Sequence, residues 1–218
     1  MTRNRIKGTA LAVLTALGTL VATGAEAFPF RFQDPSRYLG SRAAFGEMAI
    51  SPVAAHVFCR EFPSECAVRR GRLARDETGA VRVTDRLLAQ VQQVNSAVNA
   101  SMTWRADIDR DGVPDRWKVR ASSGDCEDFA LEKRRRLLAA GWPTSALLLA
   151  LGRDGWGTSH AVLIVRTDRG DFVLDNQVEE VLPLGAASFR LATIQSPERP
   201  NVFVRSGVAA AVVATSWD

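Results

Sequence analysis

The sequence predicts an α+β fold, and three observations carry that prediction. Helical periodicity comes first along the chain, over residues 84–100 and again over 124–140. Three short apolar stretches follow at 146–151, 160–166 and 172–175, spaced and punctuated like an antiparallel meander. The 218 residues are 46% hydrophobic and 24% charged, a globular balance that excludes global disorder.

Each element has a local reason. In the first helix Leu87, Leu88, Val91, Val94 and Val98 fall on one stripe, and Thr84 is placed to cap it. Residues 104–123 are acidic, then polar, and read as a long loop. The second helix starts at Gly124-Asp125, where Asp125 and Asp128 are spaced like a capping pair, and Gly141 is a suitable stop. Thr167-Asp168-Arg169-Gly170 is a turn between the last two strands. A further apolar stretch, Val202-Phe203-Val204, lies near the end. Residues 28–46 read as an extended lead-in, and the apolar tail 208–213 is too short to span a bilayer.

The N-terminus has the layout of a secretory signal peptide over residues 1–27, with a single domain over 28–218. Arg3, Arg5 and Lys7 precede an apolar segment, and Ala25-Glu26-Ala27 is a small-x-small cleavage site. An uncleaved anchor is the alternative; after cleavage no stable membrane span is expected. Cleavage lowers the net charge from +4 to about +2. So weak a charge gives no reason to propose nucleic-acid binding. The one basic run, Lys133 to Arg136, reads as the solvated face of a helix.

Three cysteines in an exported chain suggest one pair and one free thiol. Cys59 and Cys66 are near neighbours that an oxidising compartment would let pair. The alternative is a metal site with His56, but the gap is not the spacing of zinc modules. Cys126 is left alone in the first turn of the second helix, where free N–H groups and the helix dipole favour a thiolate. The carboxylates beside it oppose that charge. If residues 167–170 form a four-residue loop, Arg166 faces Asp171 and Val162 faces Asp175. His160 and Asp175 then become diagonal neighbours on one face. A Cys126–His160–Asp175 triad is one outcome. A packed cysteine and a histidine that merely caps the strand end are the other.

At this point the residues resemble a family. Gly124-Asp125-Cys126-Glu127-Asp128-Phe129-Ala130, Ala140-Gly141-Trp142-Pro143, His160-Ala161-Val162-Leu163 and Val173-Leu174-Asp175-Asn176 are similar to the bacterial transglutaminase-like cysteine peptidases (BTLCP), which include the LapG-type periplasmic proteases. The element from Phe58-Cys59 through Pro63 to Cys66 resembles the family's upstream part, and the likeness covers roughly residues 57–190. It implies a papain/transglutaminase-like core with Cys126 as nucleophile, His160 as general base and acid, and Asp175 as orienting carboxylate.

Residues 107–115 contain D-x-D-x-D-G, whose alternating oxygens suit Ca²⁺. Lys118 stands where an EF-hand needs its bidentate Glu, so the motif is incomplete, and a polar turn is the alternative. The resemblance implies calcium dependence. Asp125 and Glu127 become ligand candidates, with Asp115 and Asp109 from the preceding segment and Asp107 and Asp111 behind them. Here the chain departs from the family: Arg110-Asp111-Gly112 replaces the usual aromatic-Gly element.

The resemblance further implies a periplasmic, calcium-dependent endopeptidase that cleaves a surface adhesin to control biofilm attachment, restrained by an inner-membrane cyclic-di-GMP receptor. The same thiol chemistry would also serve a transglutaminase-type acyltransferase or a peptidoglycan amidase or endopeptidase. A non-catalytic calcium-binding adaptor would need no reactive cysteine. Tryptophans 104, 117, 142 and 156 are candidates to line a cleft.

Overall fold

The structure is a computed structural model that describes residues 40–209. The expected signal peptide, most of the lead-in, and the tail beyond residue 209 lie outside the described residues. In chain order the elements are β1 (Arg42–Ala43), α1 (Val53–Glu61), α2 (Asp85–Ser101), β2 (Thr103–Trp104), α3 (Asp107–Asp111), β3 (Ser123–Gly124) and α4 (Cys126–Ala139). Then come β4 (Leu147–Arg153), β5 (Ser159–Thr167), β6 (Gly170–Leu174), β7 (Leu182–Pro183), β8 (Arg190–Gln195), β9 (Phe203–Arg205) and β10 (Val208–Ala209).

The two long helices form where the local signals put them. The Thr84 side chain accepts from the Leu87 N–H, and α2 buries Leu88, Val91 and Val98. Asn95, a polar residue, joins that buried face. α4 ends at Gly141, whose φ of +99° is open to glycine and strained for other residues. Its start differs from expectation, because Asp125 makes no side-chain capping bond. The expected long loop over 104–123 also holds more order: α3 lies within it, and β2 pairs with β3 in parallel.

β4, β5 and β6 form the expected antiparallel meander, and Arg166 faces Asp171 as the hairpin register requires. The turn is tighter than four residues, because Thr167 pairs with Gly170. The sheet is completed from outside the meander. β7 joins β6, while β8 and β9 add to the far side of β4, giving the order β7-β6-β5-β4-β8-β9. Alternate strand residues face opposite ways. Leu148, Ala150, Val162, Ile164, Val173 and Ile194 form a buried cluster on one face. α4 packs on β4 and β5, and α2 packs on α4. Each fully buried Leu or Ile contributes about 2 kcal/mol.

The basic run on α4 is not a solvated face. Lys133 is 0% exposed and Arg134 2%. Arg134 donates to the Leu147 carbonyl at 3.0 Å and the Glu65 carbonyl at 2.6 Å, so its charge is spread over backbone acceptors. Only Arg135 and Arg136 reach outward, where both pair with Glu132. No helix among the described residues is long and apolar enough to cross a membrane.

Candidate active site

Cys126 is the first residue of α4. The first-turn N–H groups of a helix have no partner within it, and the positive end of the dipole lies there. Gly124 permits the approach: a Cβ on it would sit 2.5 Å from the Asp128 Cβ, closer than atoms pack. The Cys126 Sγ donates to the Glu127 carboxylate at 2.9 Å rather than to an imidazole. Burial pushes the thiol up, and Glu127 and Asp125 push it further, while the Ala161 N–H favours the thiolate.

Ala161 follows His160 on β5, so the sulfur meets the strand end that carries the imidazole. His160 is buried, and its Nε2 lies 2.8 Å from the Asp175 Oδ1. The Gln177 N–H donates to the same oxygen at 2.9 Å. The Phe189 ring stands edge-on to the imidazole, with centroids 6.2 Å apart. A carboxylate partner favours the tautomer protonated on Nε2, which leaves Nδ1 as the basic nitrogen. A cavity of about 370 Å³ opens beside His160, lined also by Trp117, Glu127 and Asp115. A second, of about 260 Å³, lies against Asp175 under Trp156. Of the four tryptophans considered for a cleft, Trp142 is buried away in the core, and Trp117 presents one edge to the first cavity.

Cys59 and Cys66 are joined in a disulfide with Cα atoms 5.5 Å apart, leaving Cys126 as the free thiol. His56 is exposed on α1 beside it.

The acidic residues gather differently from the sequence-based expectation. Asp107, Asp125 and Asp128 bring carboxylate oxygens within 4.8 Å of one another. Asp109 does not join them. The D-x-D-x-D segment is a helical turn, in which residues two apart point away from each other, so Asp107 turns inward and Asp109 outward. Asp115 remains near Glu127 across the first cavity, and partial burial and then Glu127 push its carboxyl up.

Arg110, which no sequence motif marks as functional, stands at the hub. Its guanidinium pairs with Asp107 at 2.6 Å, with Asp111 at 2.7 Å, and with Asp128. Asp128 also accepts from the Lys118 N–H at 2.7 Å, and Asp107 from the Arg116 N–H. Asp128 is thus a structural anchor. Its position three residues after Asp125, on the same helix face, is the sequence signal for it.

Asp125 is left wanting. Its Oδ1 is buried with no hydrogen-bond partner among the described residues. Burial, then Glu127 and Asp107, push its carboxyl up to about 8. An unpaired carboxylate oxygen with three acidic neighbours is a set of hard donors of the kind Ca²⁺ takes. The residues present therefore fit a calcium ion centred on Asp125, with Glu127, Asp107 and Asp115 around it.

No curated protein matches the chain. Among solved structures it is similar to Legionella pneumophila LapG, at 25% identity and a TM-score of 0.44, over 50% of this chain and 63% of that one. In that match it spans less than two thirds of the Legionella chain. LapG treated with EGTA matches at 18% identity and a TM-score of 0.43, over 66% of this chain and 83% of that one. Calcium-bound LapG matches at 17% and 0.47, over 74% and 94%. The model of one family, described as bacterial transglutaminase-like cysteine proteinase, spans residues 45–209, and the chain belongs to that family.

Proposed function

We propose that the protein is a periplasmic, calcium-assisted cysteine endopeptidase acting on an exported protein, with a surface adhesin as the substrate class and biofilm attachment as the process it controls. The observation that carries the reading is the 2.8 Å bond between His160 and Asp175, beside a free cysteine at a helix start.

In this mechanism the His160 Nδ1 takes the Cys126 proton, and Asp175 steadies the resulting imidazolium through Nε2. The thiolate attacks a peptide carbonyl carbon. First-turn N–H groups of α4 receive the oxyanion. His160 returns its proton to the leaving amine, and a thioester remains on Cys126. Water, deprotonated by His160, then releases the acid and restores the thiol. Asp125, Glu127, Asp107 and Asp115 would hold a calcium ion, which would supply positive charge beside the thiol and offset the carboxylates that oppose the thiolate. Export rests on the signal-like residues 1–27, and periplasmic location and restraint by an inner-membrane cyclic-di-GMP receptor rest on the family likeness alone.

The test is incubation of an N-terminal adhesin fragment from the same genome with the protein, in calcium and in EGTA, beside Cys126→Ala. A single cut that needs both calcium and Cys126 is expected. A cut that survives Cys126→Ala overturns the mechanism, and a cut indifferent to EGTA overturns the metal's part in it.

A further inference from the structure

Three buried polar groups unused by this mechanism lie against the segment that carries Asp175. Lys133, about two turns beyond Cys126 on α4, is 0% exposed, and its Nζ has no hydrogen-bond partner among the described residues. Its neighbours on α4 locate it. Phe129, one turn before, packs with Val98 and Met102 of α2. Trp142, beyond the helix end, donates to Gln90 of α2 at 2.9 Å. The two helices therefore run antiparallel, and Lys133, four residues after Phe129, comes to α2 between those contacts.

Asn95 and Asn99 occupy that part of α2. The Asn95 amide donates to the carbonyls of Val178 and Glu179 at 3.0 and 2.9 Å, and the Asn99 amide to the Asp175 carbonyl at 3.0 Å. Both leave a buried Oδ1 without a partner among the described residues. An ammonium with three unused donors and two amide oxygens with unused lone pairs thus lie on facing helices under one loop. Burial pulls Lys133 down to about 7, and the carboxylates that favour its charge are Asp175 and Glu179.

We propose that Lys133, together with Asn95 and Asn99, is a positioning element of the site: its buried ammonium supports the Asp175 carboxylate and holds residues 175–179 in place, so that Asp175 can orient His160. This rests on the role given to Asp175 above. A buried cation with no partner is costly, whereas one that faces a carboxylate recovers part of its desolvation.

The experiment follows alkylation of Cys126 by iodoacetamide at pH 7 in the full chain, by intact mass, with Cys59 and Cys66 protected as a disulfide. It compares wild type, Lys133→Met, Asp175→Asn and the double variant, with His160→Ala as the reference for an unassisted thiol. Methionine keeps the volume of lysine and removes the charge. Lys133→Met should slow labelling about tenfold in the wild-type background and change it less than about twofold when Asp175 is already Asn. Wild-type labelling by Lys133→Met, or losses that multiply in both backgrounds, would overturn the proposal. Wild type no faster than His160→Ala would mean that the triad reading itself has failed, and this inference with it. If Lys133→Met does not fold, the titration of ¹³C-labelled Lys133 in wild type and Asp175→Asn decides. The midpoint should fall when the Asp175 charge is removed, and an unmoved midpoint overturns the coupling.

Discussion

Cys126 sits between two neighbourhoods built on opposite terms. On the strand side, the Asp175 Oδ1, just past the end of β6, accepts from both His160 of β5 and the Gln177 N–H. On the acidic side, three carboxylates crowd one guanidinium, and the Asp125 Oδ1 has no partner among the described residues. The contrast teaches that one half of a site can be preorganised by hydrogen bonds while the other half leaves a buried carboxylate oxygen unpaired. The thiol records both influences: the Ala161 N–H favours its anion, and Glu127 opposes it.

The sharpest break comes on the strand side. Asp175→Asn should lower kcat/KM about a thousandfold, because the amide no longer holds the imidazole tautomer or its charge. A kcat/KM within tenfold of wild type would remove Asp175 from the mechanism.

On the acidic side the largest effect should be on stability. Arg110→Ala strands Asp107 and Asp128 and should cost about 3 kcal/mol in urea unfolding. Arg135→Ala, on the more exposed pair with Glu132, should cost about 0.5 kcal/mol. Equal losses would show that Arg110 is no hub.

The pH dependence should separate the two sides further. The folded Asp125 carboxyl lies near 8, above the ordinary 3.8. Ionising it therefore costs the folded state, and its stabilising contribution is present below about 4 and lost as pH rises toward 8. In EGTA the melting temperature should fall across that window. Calcium, or Asp125→Asn, should flatten the fall, and a slope unchanged by both would exclude Asp125 as its source. The smallest effect belongs to Asp109. Asp109→Ala should leave calorimetric calcium affinity unchanged, while Asp125→Ala weakens it more than about tenfold.

Much of the frame around Cys126 is legible in the sequence. The Thr84 cap, the stop at Gly141 and the pairing of Arg166 with Asp171 are set by residues a few positions apart. A helix repeat, a turn and a hairpin register are local matters, and apolar spacing reports them directly. The hairpin register alone is enough to carry His160 toward Asp175.

The acidic segment is misleading in the sequence because a charged residue's fate depends on what packs over it. Alternating aspartates read as converging ligands, but the segment winds into a helical turn and sends Asp107 and Asp109 apart. The run from Lys133 to Arg136 reads as solvated, yet α4 lies between the sheet and α2 and takes the first two of those side chains inside. The sequence by itself determined the α+β order, the helix that carries Cys126 in its first turn and the hairpin that aligns His160 with Asp175, because neighbours along the chain decide those. Only the tertiary structure decided that β8 and β9 close the sheet beside β4, that Arg110 gathers the aspartates and that Lys133 lies buried near Asp175. Those contacts join residues remote in sequence, and burial, which makes a charge costly or useful, exists only once they have formed.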